Sequence, residues 1–166
     1  MNAENEEYIR ALQEASETLQ QTQLREVAVP LDVAYWVGMT LVTTSPRYRD
    51  DLERSELNSQ LVARLEEVIP PALIQHTEEH FEGDLAEIVS LAFSQRDMDF
   101  IGNATIALPS GRQILDELSF DPMDRAELDG YRNKQLRAFL TISHVFTQQG
   151  GVINPETIEA VEAELS

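Results

Sequence analysis

Residues 30–41 read Pro-Leu-Asp-Val-Ala-Tyr-Trp-Val-Gly-Met-Thr-Leu, and whether they form a strand or a helix decides the fold class. Every odd position from Leu31 to Leu41 is apolar, which is the alternation of a half-buried strand. Ala34 and Trp36 occupy even positions, however, so the segment is apolar on all sides. Pro30 at its head and Asp32 in the first turn are helix-start residues. Proline lacks the amide hydrogen that a first turn leaves unpaired, and a carboxylate there meets the positive end of the helix dipole. The expectation is a central helix buried on every face.

Working outward, proline and glycine punctuate a helical chain. Tyr8, Leu12, Ala15 and Leu19 recur at 4-3-4 spacing, a narrow stripe on a first helix covering about 4–23. Leu57, Leu61, Leu65 and Val68 mark a helix from Pro46 to Val68, stopped by Pro70-Pro71, and Pro71 heads another. Asp84 suits the cap of a helix carrying Leu85, Ile88, Val89 and Ala92 at i, i+3, i+4 and i+7. Asp121-Pro122 opens a long helix to Gln149, with Leu128, Tyr131, Leu136, Phe139, Leu140 and Phe146 as its core face. Gly150-Gly151 ends it, because glycine accepts the left-handed conformation past a helix C-terminus. Asn154-Pro155 starts a last helix with Ile158, Val161 and Leu165 on one side. For residues 100–108 a short helix, an extended connector and a strand all remain open. The predicted fold is an all-α, compact single-domain bundle of six to eight helices spanning 1–166, with one short extended segment near 100–108 as the variant.

Composition fits that picture. The 166 residues are 42% hydrophobic, enough for a sizeable core, and the length suits one domain. Without cysteine there is no disulfide scaffold, zinc ribbon or thiolate nucleophile. The longest apolar stretch, Val33 to Val42, is interrupted by Gly38 and Thr40 and is too short to span a bilayer. The acidic Met-Asn-Ala-Glu-Asn-Glu-Glu start is unlike a signal peptide, so a cytoplasmic protein with no membrane partner is expected.

The formal net charge of −18 is the strongest compositional signal. A field of that sign repels nucleic-acid phosphates and anionic lipid, and favours cations and basic proteins. Residues 76–99 carry seven acids against Arg96, and residues 154–166 carry four Glu and no base. Three causes compete: a solubilising acidic surface, adaptation to high salt, and docking onto a basic partner, in the limit as a DNA mimic. Twenty Glu to ten Asp and eleven Gln is a departure from the high-salt composition. The basic residues Arg47, Arg49 and Arg54, and Arg132, Lys134 and Arg137, are interleaved with or preceded by acids. That arrangement favours intramolecular ion pairs over a nucleic-acid face.

One constellation invites chemistry. His76-Thr-Glu-Glu-His80 places two imidazoles four apart, the spacing by which one helix face offers two nitrogens to a metal. The string resembles the H-x-x-E-H pattern of inverzincin proteases, and that resemblance implies His76 and His80 as ligands and Glu79 as general base. It covers five residues, and Glu82, Asp84 and His144 are only generic candidates to complete a shell. Acidic neighbours equally suit two surface histidines hydrogen-bonded to carboxylates. Asp97-Met-Asp99 lacks the ligand density of an EF-hand loop and reads as solvated surface. No G-x-S-x-G elbow and no P-loop occurs, so no catalytic residue is assigned.

The resulting expectation is a small acidic helical protein acting by protein–protein interaction, as accessory subunit, adaptor or inhibitor. Tyr8, Leu12, Ala15 and Leu19 would be the partner-binding residues, the partner another protein with a basic surface, and no cofactor is required. The alternatives are a divalent-metal protein or enzyme built on His76, Glu79 and His80, and a DNA-mimicking inhibitor of a nucleic-acid-binding protein.

Overall fold

The computed structural model describes residues 3–76, 81–108 and 122–165. Within them run α1 (Ala3–Thr22), β1 (Arg25–Pro30), α2 (Leu31–Thr44), a 3-10 turn (Ser45–Tyr48), α3 (Leu52–Val68), α4 (Pro71–His76), β2 (Ile88–Phe93), α5 (Gln95–Ile106), α6 (Pro122–Gln148) and α7 (Pro155–Glu164). The protein is mostly helical. Its described strands form one antiparallel pair in which Arg25 faces Phe93 and Pro30 faces Ile88.

The segment at 30–41 is the helix that its composition demanded. α2 buries Leu31, Ala34, Tyr35, Trp36, Val37, Thr40, Leu41 and Thr44, which together cover nearly its whole circumference. α3, α5 and α6 pack around it. Gly38 leaves room for Ile69 and Leu65, whose methyl carbons lie 3.6 and 3.9 Å from where a β-carbon would stand. No side chain caps the start of α2. Pro30 closes β1 and stands just outside the helix, and the first amides of α2 instead donate to the Glu87 and Leu85 carbonyls, at 2.8 and 3.1 Å. The central helix thus depends on a remote loop to satisfy its orphan donors.

That same loop overturns one expectation. Residues 85–92 do not form a helix capped by Asp84. The Asp84 carboxylate accepts the Ala86 amide in a local turn, and Ile88–Phe93 is a strand. Leu91 and Phe93 point into the core while Ile88, Ser90 and Ala92 face outward. The helical spacing of Leu85, Ile88, Val89 and Ala92 was coincidental. Branched Ile88 and Val89 suit the pleat, and β1 supplies the hydrogen-bonding edge.

Residues 100–108, where an extended segment was one option, are mostly helix. α5 starts earlier, at a capping box: the Ser94 hydroxyl accepts the Asp97 amide at 3.1 Å and the Asp97 carboxylate accepts the Ser94 amide at 2.9 Å. Asp97 is therefore buried rather than solvated, and Arg64 Nη1 reaches its Oδ2 at 3.1 Å. Gly102 sits where α5 meets α6 and α7, with Phe139 and Thr157 carbons 3.1 Å from a notional β-carbon.

The predicted Pro46–Val68 helix is broken in two. Pro46 lies in the first positions of the 3-10 turn, and the chain restarts at Leu52 with Asp51 accepting the Arg54 amide at 3.1 Å. Tyr48 in that turn packs its ring 5.1 Å from Phe100. On α6, Leu136, Phe139 and Phe146 are fully buried as expected. Tyr131, expected in the core, is 38% exposed and stacks on Trp36 at 5.6 Å. The expected Asp121 cap lies outside the described residues. α6 ends in a Schellman closure: Gly151 donates to Phe146 and Gly150 to Thr147, with Gly150 at φ +90°. Asn154 caps α7 by accepting the Glu156 amide at 3.0 Å.

Candidate functional site

α1 differs from every other long helix. Every side chain described on it is exposed. Tyr8 is 66% exposed, Leu12 53% and Leu19 63%, and Ala15 between them is exposed as well. The four residues expected to bind a partner therefore share one uncovered face, though α1 runs beside α5. Ile9 flanks the stripe and is exposed too. Sequence reasoning passed over Ile9 because it falls outside the 4-3-4 series.

Apart from Glu4, which stands one turn before Tyr8 on the stripe's own face, the charges of α1 lie away from the stripe. At about 100° per residue, Arg10, Glu14 and Glu17 fall on the half of the helix opposite the stripe. The positions bordering the stripe from Tyr8 to Thr22 are Ile9, Ala11, Ser16 and Thr18, all uncharged. Such a surface is apolar at its centre, neutral at its margin and acidic behind. α1 is joined to β1 through Gln23 and Leu24, the Gln23 amide extending the helical pattern by donating to the Leu19 carbonyl at 2.8 Å.

The chain matches no family model, no curated protein and no solved structure.

The metal constellation falls largely outside what is described. His76 ends α4 by its backbone, while Glu79 and His80 lie outside the described residues, as does the His76 side chain. Among the described residues no three His, Asp or Glu side chains gather as a metal site. His144 sits exposed on α6, with its Nε2 3.1 Å from the Gln148 amide nitrogen. Also among the described residues, no helix is long and apolar enough to cross a membrane.

Basic side chains turn toward acids of the same chain. Arg132 bridges α6 to Glu164 at the end of α7 at 2.9 Å, Arg96 reaches Glu53 at 3.1 Å, and Arg54 reaches its own cap, Asp51, at 3.5 Å. The Arg96–Glu53 and Arg54–Asp51 pairs are exposed and contribute about 0–1 kcal/mol each. Their larger consequence is that these guanidiniums do not form a free basic face. Lys134 lies 5.2 Å over the Trp36 ring, beside Tyr131. This aromatic–cation cluster covers an edge of the core and was not foreseen, because it joins positions about a hundred residues apart.

Proposed function

We propose that the protein acts by binding another protein through α1, as an accessory subunit, adaptor or inhibitor. The observation that carries this reading is the exposure of Tyr8, Leu12, Ala15 and Leu19. A stripe that packed on its own domain would be covered. Burying a Leu-sized side chain contributes about 1.5–3 kcal/mol, so the stripe holds enough apolar surface to drive helix-in-groove association. The partner is an apolar groove rimmed by Lys or Arg. Such a basic rim would be attracted at long range by the −18 charge of the whole chain, speeding encounter. A partner of this kind has a basic surface and needs neither nucleic acid nor membrane.

Removing residues 1–22 tests the reading. Thermal stability of the shortened chain should stay within a few degrees of the full chain, while capture of a basic partner from the native cells is lost. Capture is done at about 0.15 M salt, where surface charges act over ~8 Å. A large fall in melting temperature would instead mean that α1 packs on the body, and the docking role would be withdrawn.

A further inference from the structure

Between the C-terminal half of α6 and α7 lies a groove of about 490 Å3. Leu140, Ile153 and Ile158 give it apolar walls, and its polar lining includes Ser143, Glu159 and Glu162. Ser143 is unusual among the buried hydroxyls within the described helices. Thr40, Thr44 and Thr105 each donate to the carbonyl four residues earlier. Ser143 is as buried, at 2% exposure, yet its Oγ has no partner. A hydroxyl left unpaired at such a position destabilises the fold, and a ligand that satisfied it would recover that loss.

Glu159 and Glu162 stand three residues apart, on one face of α7. Among the described residues neither makes an ion pair, and the nearby Arg132 reaches Glu164 instead. Of the other polar groups lining the groove, the Thr147 hydroxyl donates to the His144 carbonyl and His144 Nε2 lies against the Gln148 amide. Among the described residues no Arg or Lys lines the groove.

We propose that this groove binds an organic ammonium ion. Its hydrocarbon part covers Leu140, Ile153 and Ile158. Its N–H groups are donated to the Glu159 and Glu162 carboxylates and to Ser143 Oγ, matching the three donors of a primary ammonium. Two carboxylates with no cation between them disfavour an anion. A bare divalent ion gains nothing from the apolar wall and needs more oxygen ligands than the groove offers. The site is separate from α1 and stands or falls independently of the docking role.

The test is a two-dimensional amide NMR titration of the full chain with hexylammonium chloride, with sodium hexanoate as the control of equal hydrocarbon length. Saturable shifts confined to residues 140–147 and 153–162, absent with hexanoate, are expected. Neutralising both carboxylates (E159Q with E162Q) should weaken binding by about 10-fold or more, as for a lost charge-assisted contact. Ser143→Ala should weaken binding several-fold while leaving the melting temperature unchanged or higher, because it removes a hydroxyl that satisfies nothing. Unsaturated shifts spread over the acidic surface would overturn the proposal and mark diffuse counterion attraction. So would equal binding of hexanoate, or wild-type affinity in either variant.

Discussion

α1 and α2 are both long helices of one chain, only eight residues apart, and they end in opposite environments. α2 is apolar nearly all round and buried nearly all round. α1 carries a narrow stripe on an otherwise polar cylinder, and the stripe faces outward. The difference shows that spacing alone says a helix forms, whereas the breadth of the apolar surface says whether its own domain will cover it. A helix as broadly apolar as α2 has no stable place except the interior. A helix like α1 has a choice, and here the body of the protein does not take it up.

Four substitutions test that contrast. Leu41→Ala, at a fully buried position of α2, should cost about 2–5 kcal/mol, read as a lowered denaturant midpoint. Gly151→Ala comes next. A β-carbon there would collide with the Phe146 ring at the α6 closure, and about 1–3 kcal/mol should be lost in thermal melts. Asp97→Ala removes the reciprocal cap of α5 and leaves Arg64 without its carboxylate, for an expected loss of about 1–2 kcal/mol by the same measurement. Smallest of all, Leu12→Asp on α1 should change stability by no more than about 0.5 kcal/mol, as for an ordinary surface site. Its effect should be on partner capture instead. A Leu12 variant as destabilised as the Leu41 variant would erase the distinction between the two helices.

Where local chemistry was strong, the elements were legible. Asn154-Pro155 and Gly150-Gly151 set helix ends within a residue of where they occur, because caps and left-handed turns are determined by the few residues that make them. The apolar stripe of α1 was legible for the same reason: its spacing is a property of that helix alone. The 85–92 segment was misread because its apolar residues satisfy helical and strand periods alike. Only the pairing of Val89 with Val29 and Leu91 with Val27 selects the strand. The Arg25–Pro30 strand carries its own alternation at Glu26, Val27, Ala28 and Val29, a signal too short to stand without a partner.

Buried polar groups were the least legible. Asp97 looked like solvated surface because its partners are a backbone amide at Ser94 and an arginine on another helix. Asn58 stands in register with Leu61 and Leu65, and the fold buries it to 4% exposure with no partner for Oδ1. Ser143 is in the same condition. Nothing in the neighbouring residues announces which hydroxyl or amide the packing will strand.

From sequence alone came the helical class, the central burial of the 31–41 segment, most helix ends and the large negative charge. These follow from composition, periodicity and capping, which act over a few residues. Tertiary structure alone decided that 88–93 is a strand, that α1 keeps its stripe uncovered, and that the α6–α7 groove holds unpaired carboxylates beside an unpartnered hydroxyl. Those outcomes depend on which surfaces meet across the chain, and a contact between distant residues leaves no mark in the local pattern of either.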